Sequence, residues 1–426
     1  MKLNQLTATQ AAEILQSGEF SSEQLVEDCL ERIHAREDTV HAWQFLDAEH
    51  ALEQARARDK LKPEGPLHGI PVGIKDIIDT EEMPTDCGSK VFSGHQPAAD
   101  AECVRLLKRA GAVILGKTVT TEFAYLEPGN TRNPHDLQHT PGGSSSGSAA
   151  AVADHHVPLA LGTQTAGSII RPASYCGVVG FKPSFDSYPK AGIHPFAQSL
   201  DTLGGFARSV ADIALLAGVL GSRELGCEAR APAKIAVVKG PAWSQVEQGS
   251  RDAIEQCREI LGRCGAKLVE VNLSAEFDEI NEAQKSIQLH ECTQNLSKYY
   301  EKTPEKMSHK LREDYEYGLS LDDATMKQAY ALVEECKTSI GKLFSDYDLL
   351  LTPASSTSAP LAEAGTGDPV FNRMWTAMHL PCISLPFPGP AGTLPIGIQA
   401  VGAYQKDADF LAHAACLEQW FSESSA

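Results

Sequence analysis

Residues 140–148 read TPGGSSSGS and residues 163–168 read TQTAGS, and these two serine-rich segments decide how the chain is interpreted. Upstream, residues 73–76 read GIKD and place Lys75 at the end of an apolar run. A lysine and two loop serines suit nucleophilic attack without histidine, because a neutral amine can accept a proton that one hydroxyl relays from the other. The three segments together indicate an enzyme whose reactive side chains lie on loops after buried strands.

Apolar runs bounded by glycine predict buried strands around these segments. They cover residues 69–74, 112–115, 158–161, 234–238, 267–271 and 348–352, and residues 383–386 and 396–401 predict a hairpin. Helices are predicted within residues 5–60, 98–110, 148–153, 211–220, 249–262 and 407–421, and over most of 278–345. The repeated strand–helix–strand order favours an α/β fold with a mixed central β-sheet flanked by helices.

The composition is that of an acidic globular chain. Of 426 residues, 42% are hydrophobic and 22% are charged, and the formal net charge is −19. Such a surface repels nucleic acid and anionic membranes, so the charge predicts that neither is a partner. Residues 1–6 lack an apolar signal core, and eleven scattered cysteines without paired spacing favour reduced thiols, which together predict a cytoplasmic protein. Cys176, near the second serine segment, is predicted to serve core packing.

Two motifs match other enzyme classes and are rejected on their context. Residues 111–118, GAVILGKT, match the phosphate-loop pattern, but the four central residues are apolar and predict a strand instead of a flexible loop. Residues 143–147, GSSSG, match a nucleophile elbow centred on Ser145, which requires a strand directly before it. The preceding residues 135–141 are polar and include a proline, which argues against that strand.

The remaining alternatives are a metal site and a structureless linker. The histidines show no HExxH spacing, so no metal is predicted. Serine and glycine also build flexible surface loops, and this structural alternative stays open from the residues alone.

Taken together, the segments resemble the amidase signature family. The resemblance rests on residues 69–76, 116–124, 142–153, 163–168, 176–183, 380–386 and 394–399. It implies one domain over residues 1–426, with a signature core at about 65–205, a variable and mostly helical region at 225–345, and a return to the core sheet at 346–426. Several separate motifs in one order make a chance match improbable.

The resemblance also implies a catalytic arrangement of two serines and a lysine. Ser168 would be the nucleophile, Ser144 the bridging serine after a cis peptide at Gly143, and Lys75 the base. Burial would keep Lys75 uncharged, as proton acceptance requires. The remaining implied site residues are the oxyanion-hole donors Thr165, Ala166, Gly167 and Ser168, and the supporting Gly143, Ser145 and Ser146. The family implies no cofactor.

Two departures from the usual family pattern bear on the substrate. Gln164 stands where an acid is usual, and Ile170 stands where an arginine is usual, with Arg171 one place later. A one-residue shift in an extended segment turns a side chain to the opposite face, so Arg171 is a candidate to bind a substrate carboxylate. The alternative is a structural salt bridge, and the residues favour neither. Malonamidase-like members have a similar TQTAGSxIRP segment, which would make the substrate a small amide bearing a carboxylate.

The sequence therefore predicts an amidohydrolase that cleaves a small amide through an acyl-enzyme, with a small molecule as partner and homodimerisation left open. Two alternatives are kept. One is the A subunit of a tRNA-dependent amidotransferase, against which the acidic charge, the short chain and Gln164 are weighed. The other is a binding scaffold of the same fold that has lost catalysis, against which the three filled catalytic positions are weighed.

Overall fold

The apolar runs assemble into one mixed sheet. The computed structural model describes residues 2–223, 225–387 and 392–424, and eleven strands in this part of the chain form a single sheet. The strands are β1 (Trp43–Leu46), β2 (Pro71–Lys75), β3 (Val113–Thr118), β4 (Leu159–Gln164), β5 (Val179–Lys182), β6 (Thr202–Ala207), β7 (Lys234–Lys239), β8 (Lys267–Asn272), β9 (Leu349–Pro353), β10 (Cys382–Phe387) and β11 (Ile396–Val401). Their order across the sheet is β1-β3-β2-β4-β6-β5-β10-β11-β9-β7-β8. The predicted α/β fold is confirmed.

Helices flank this sheet. Over the same described residues they are α1 (Ala8–Ser17), α2 (Ser22–Val40), α3 (Ala48–Asp59), α4 (Glu102–Arg109), α5 (Ser146–Ala153), α6 (Ile170–Cys176), α7 (Val210–Leu220), α8 (Gln248–Arg263), α9 (Ile280–Lys302), α10 (His309–Ser320), α11 (Asp323–Leu343), α12 (Arg373–Ala377) and α13 (Asp407–Glu423). The start of α2 shows the expected capping box, in which Ser21 accepts from the Gln24 N–H and the Gln24 side chain accepts from the Ser21 N–H. None of the described helices combines the length and apolarity needed to cross a bilayer.

The pairing of the strands determines where the loops meet. β2 lies between β3 and β4 and runs parallel to both. Because the carboxyl ends of parallel strands lie at the same edge of a sheet, the residues that follow β2, β3 and β4 are brought together there. Farther along, β10 and β11 pair antiparallel, as the predicted hairpin requires, and β6 and β5 connect them to β4 through antiparallel pairs.

The phosphate-loop match at residues 111–118 leads directly into β3, which contains most of it, as its apolar centre predicts. Every residue of β3 is buried, including Lys117, whose Nζ lies 3.2 Å from Asp76 Oδ1. Burial lowers the pKa of Lys117 and raises the pKa of Asp76 to about 6, and in each case the partner's charge opposes the shift. The lysine is therefore committed to a buried ion pair beside β2 and is not exposed to a nucleotide.

A close backbone approach fixes the start of α5 against β3. A Cβ atom added at Gly147 would lie 2.2 Å from the Ala42 carbonyl oxygen and 2.4 Å from the Val119 nitrogen. Neither backbone atom can move aside cheaply, so only glycine fits at this position. The segment that carries the first serine loop is thereby locked to the end of β3.

We expect Gly147→Ala to lower the free energy of unfolding by about 3 kcal/mol, since overpacking against backbone forces the chain apart. The measurement is urea denaturation followed by circular dichroism. Gly341→Ala is the matched control, because this residue is exposed on α11 and its added Cβ meets no atom within 4 Å, so the change should stabilise the protein by about 0.5–1 kcal/mol. Equal stabilities for the two variants would contradict the proposed close packing of α5.

Candidate active site

The predicted catalytic side chains converge at one edge of the sheet. Lys75 is the last residue of β2, and Ser168 follows the end of β4 by four residues. Ser144 lies just before α5, which packs on β4 and β2. The parallel pairing of β2 with β4 thus brings together side chains that are far apart in sequence.

Lys75 is completely buried, and its amine contacts two hydroxyl groups. The Nζ atom lies 2.7 Å from Ser144 Oγ and 2.8 Å from Thr163 Oγ1. Burial lowers the pKa of Lys75 to about 7, and the charge of Asp201 acts in the opposite direction. A large fraction of this amine is therefore uncharged near neutral pH, with a lone pair available to accept a proton from Ser144.

Ser144 follows a cis peptide bond, as the family resemblance implies. The Gly143–Ser144 bond is the cis peptide of the described chain. A Cβ atom at Gly143 would lie 2.8 Å from Thr366 Cγ2 and 3.1 Å from Thr121 Cγ2, so glycine lets the chain pass between these threonines. The Ser144 carbonyl accepts a hydrogen bond from the Thr121 N–H at 3.2 Å.

Ser168 lies between β4 and α6 and is 7% exposed. Within the described part of the chain its hydroxyl has no hydrogen-bond partner, so the structure joins Lys75 to Ser144 but does not join Ser144 to Ser168 by a hydrogen bond. Catalytic hydrogen bonds of this kind often tighten only when substrate is bound. The Ser168 hydroxyl is therefore available to a substrate.

Ser145 and Ser146 are buried at the start of α5. Ser145 Oγ accepts from the Thr163 N–H and donates to the Thr163 carbonyl, both at 3.3 Å, so it ties the first serine segment to β4. Ser146 Oγ donates to the Val119 carbonyl at 3.4 Å. These contacts suit supporting residues, and no described strand directly precedes Ser145 as a nucleophile elbow would need.

Arg171 is buried in the first turn of α6. It does not form a salt bridge, which was the structural alternative to binding a substrate carboxylate. Its Nη2 donates to the Gly143 carbonyl at 2.7 Å and to Thr366 Oγ1 at 3.3 Å. Burial lowers the pKa of Arg171 to about 10. No carboxylate among the described residues pairs with it, and its Nε and Nη1 have no partner there. The guanidinium supports the backbone beside Ser144, and its contact with substrate stays a prediction.

Gln164 has a clear local role. Its Oε1 accepts from the N–H groups of Ile169 and Ile170 at 2.9 and 3.1 Å, which satisfies donors at the start of α6. Its Nε2 donates to Thr376 Oγ1 at 2.9 Å. An acidic side chain could accept the same two bonds but could only accept from Thr376, so glutamine sets the direction of the hydrogen bond to α12.

Sequence reasoning missed Asp201, which lies beside the site just before β6. Its carboxylate accepts from Thr165 Oγ1 at 2.6 Å and from the N–H groups of Phe196 and Ala197 at 2.8 and 3.0 Å. Burial raises the pKa of Asp201 to about 6. An acid inside the apolar run at residues 200–207 is the signal that could have identified it.

The described residues contain no cluster of His, Cys, Asp and Glu side chains that could hold a metal ion. Cys176 is fully buried with its Sγ 3.4 Å from the Pro141 carbonyl oxygen, and burial raises the pKa of the thiol. A thiol in this state is a poor nucleophile, in keeping with the packing role predicted for it.

Comparisons with known proteins identify the family. The family model described as Amidase matches residues 24–411. The A subunit of glutamyl-tRNA(Gln) amidotransferase from Salinispora arenicola is 32% identical over 98% of this chain and 97% of its own length. The equivalent protein of Roseiflexus castenholzii is 34% identical over 94% and 92%. A crystal structure of an amidase superposes with a TM-score of 0.91 at 31% identity over 98% of this chain and all of the other, and the peptide amidase from Stenotrophomonas maltophilia superposes with 0.85 at 26% over 98% and 97%.

These relatives correct two expectations. The small-amide hydrolase reading and the exclusion of nucleic acid are contradicted, since the curated relatives are subunits of an amidotransferase named for a tRNA, and the malonamidase-like subgroup is not supported. The error has a physical cause, because a net charge is a sum over the whole surface and does not specify what an assembly binds. The short motif of the second serine segment likewise contains too few residues to identify the substrate. This chain belongs to the amidase family and is an enzyme, hydrolase or amidotransferase, that acts on carbon–nitrogen amide bonds.

Proposed function

We propose that this chain is the amide-cleaving A subunit of a tRNA-dependent amidotransferase, which releases ammonia for transfer to a glutamyl group carried by tRNA. The observation that carries the proposal is full-length similarity to relatives of that name. These relatives are 32–34% identical to this chain, and the aligned region covers more than nine-tenths of their length. Similarity over the whole chain includes the helical region and the C-terminal strands as well as the serine loops.

The geometry of the site supports the cleavage step. Uncharged Lys75 accepts the proton of Ser144, Ser144 takes the proton of Ser168, and Ser168 Oγ attacks the amide carbonyl carbon. The oxygen of the tetrahedral intermediate is stabilised by backbone N–H groups at Thr165, Ala166, Gly167 and Ser168. Collapse breaks the carbon–nitrogen bond, and the proton returns through the same relay to the departing nitrogen, so that ammonia and an acyl-enzyme result. Water then attacks the acyl group and releases the acid and Ser168.

The ionisation of Lys75 suits this role. A general base works best when its pKa lies close to the working pH, and burial brings the pKa of Lys75 to about 7. An ordinary exposed lysine would be protonated at that pH and could not act.

The acidic surface is compatible with an assembly that handles tRNA. A chain with a net charge of −19 has little long-range attraction for a phosphate backbone. In an enzyme of several subunits, a partner holds the nucleic acid while this chain supplies ammonia. The relatives are named as one subunit of their enzyme, which favours such a division of labour.

The proposal is tested by reconstituting this chain with the other amidotransferase subunits of its source organism. We expect transfer of ¹⁵N from amide-labelled glutamine to glutamyl-tRNA(Gln), detected by mass spectrometry of the released amino acid. The matched control is the same assembly containing Ser168→Ala, which should transfer no label. Rapid ammonia release from simple primary amides by the isolated chain, with no transfer in the assembly, would contradict the proposal.

Ser168→Ala should abolish both ammonia release and covalent labelling by a fluorophosphonate probe, because the oxygen that attacks amide and probe is removed. The melting temperature should stay within about 2 °C of wild type, as one small oxygen is lost. Ser422→Ala, at an exposed position of α13, is the matched control and should label normally. Labelling of purified Ser168→Ala protein would show that the nucleophile is another serine, with Ser145 the first candidate.

Lys75→Met should lower kcat by about 10²–10⁴-fold, since it keeps the buried volume and removes the base. Wild-type kcat should rise with pH through about 7 and level off above it, because protonation of Lys75 blocks catalysis on the acidic side. Asp201, with its pKa raised to about 6, is mostly ionised over the upper part of this rise. Lys327→Met, at an exposed position of α11, is the control. An unchanged pH profile in Lys75→Met would remove Lys75 from the mechanism.

A further inference from the structure

The carbonyl oxygens of the loop at residues 165–168 are anchored from outside the serine segments. The Thr165 carbonyl accepts a hydrogen bond from Gln284 Nε2 at 2.9 Å. The Ala166 carbonyl accepts a hydrogen bond from Thr376 Oγ1 at 2.7 Å. Both donors are buried, one on α9 and the other on α12. Two neighbouring peptide groups are therefore fixed by side chains that are distant in sequence.

The next peptide group is fixed by α6 itself, because the Gly167 carbonyl accepts from the Arg171 N–H at 3.0 Å. In a planar trans peptide the carbonyl and the following N–H point in opposite directions. Anchoring these three carbonyls therefore directs the Ala166 N–H away from α9, the Gly167 N–H away from α12 and the Ser168 N–H away from α6. None of these three N–H groups donates to any residue that the structure describes.

We propose that Gln284 and Thr376 are positioning residues that orient the oxyanion-hole donors by holding the opposite ends of their peptide groups. The inference rests on the proposed function for the role of Ser168 and its oxyanion hole. It adds two side chains outside the serine segments, one of them from the helical region at 225–345 where the family motifs are thin. Neither residue needs to contact the substrate, since each acts through the backbone of the loop.

The hydroxyl of Thr376 has its direction set by Gln164. A hydroxyl has one proton, and Thr376 Oγ1 already accepts from Gln164 Nε2 at 2.9 Å. Its proton is therefore directed to a carbonyl, and the Ala166 oxygen at 2.7 Å is closer than the Asn372 oxygen at 3.2 Å. An acid at position 164 would instead compete for that proton. The departure at Gln164 and the threonine at position 376 thus form one functional unit.

The amide of Gln284 is oriented in the same way. Its Oε1 accepts from Arg373 Nη1 at 2.6 Å, which leaves Nε2 to donate both to the Thr165 carbonyl and to Gln288 Oε1 at 3.1 Å. All hydrogen-bonding capacity of the amide nitrogen is used, so a flipped amide would place two donors against Arg373. Buried networks whose members are all satisfied are rigid, and a rigid donor array is what the stabilisation of an oxyanion needs.

The test compares Thr376→Val, which keeps the shape and loses the hydroxyl, with Thr376→Ser, which keeps the hydroxyl. The readouts are the second-order rate constant for fluorophosphonate labelling of Ser168, and kcat and KM for glutamine hydrolysis. We expect Thr376→Val to lower the labelling rate and kcat by about 10–100-fold, below the roughly 10²–10³-fold cost of removing a donor outright. KM should change by less than about twofold, because the pocket is intact and only transition-state binding is lost. Thr376→Ser should restore most of the labelling rate.

A second variant and a control keep the result decisive if Thr376→Val folds poorly. Gln284→Glu can still accept from Arg373 but cannot donate to the Thr165 carbonyl, and it should give the same loss of labelling with KM unchanged. Thr338→Val and Gln328→Glu, both exposed on α11, are the matched controls and should behave as wild type. Variants that label at the wild-type rate while Ser168→Ala fails to label would overturn this inference alone. Labelling of Ser168→Ala would instead overturn the role of Ser168 as the nucleophile, which is the part of the proposed function on which this inference rests.

Discussion

The site depends above all on the burial of one amine. Lys75 lies at the end of a central strand, is shielded from water and has two hydroxyl groups within 2.8 Å of its nitrogen. Taking an ammonium group out of water favours its neutral form, so the same packing that completes the core also prepares this amine for its proposed role as a base. If water reached Lys75, its pKa would return toward the ordinary lysine value and the proposed relay through Ser144 would have no acceptor at neutral pH.

The sheet around this amine contains both parallel and antiparallel strand pairs. The parallel strands β3, β2 and β4 bring the ends of three segments to one edge of the sheet, whereas the antiparallel pairs through β6 and β5 extend the sheet to β10 and β11. The extension matters chemically because the chain between β9 and β10 contains α12, which returns to the catalytic loop. With Gln284 on α9, the region with the fewest family motifs also takes part in building the site.

The correction to the expected substrate shows what local sequence motifs can establish about an enzyme. The serine loops and Lys75 predict how an amide bond is cleaved, since they supply the proposed reactive groups. They do not specify whose amide is cleaved or where the nitrogen goes, because those depend on pocket walls and partner surfaces spread along the chain. Similarity over nearly the full length carries that wider information, and it favours a component of an amidotransferase over a free-standing small-amide hydrolase.

The sequence by itself determined the strongly apolar strands, the helical stretch between α9 and α11, and the positions of Lys75, Ser144 and Ser168, because each of these has a local pattern. It missed β1, which lies between two helices and has no buried residue among its four, and it missed β5 and β6, which are short or rich in glycine. Only the tertiary structure brought Asp201, Gln284 and Thr376 to the loop, since hydrogen bonds between residues 36 to 210 positions apart leave no periodic or motif signal. Local patterns report which groups can react, whereas the orientation of the backbone that assists them is decided by packing between distant parts of the chain.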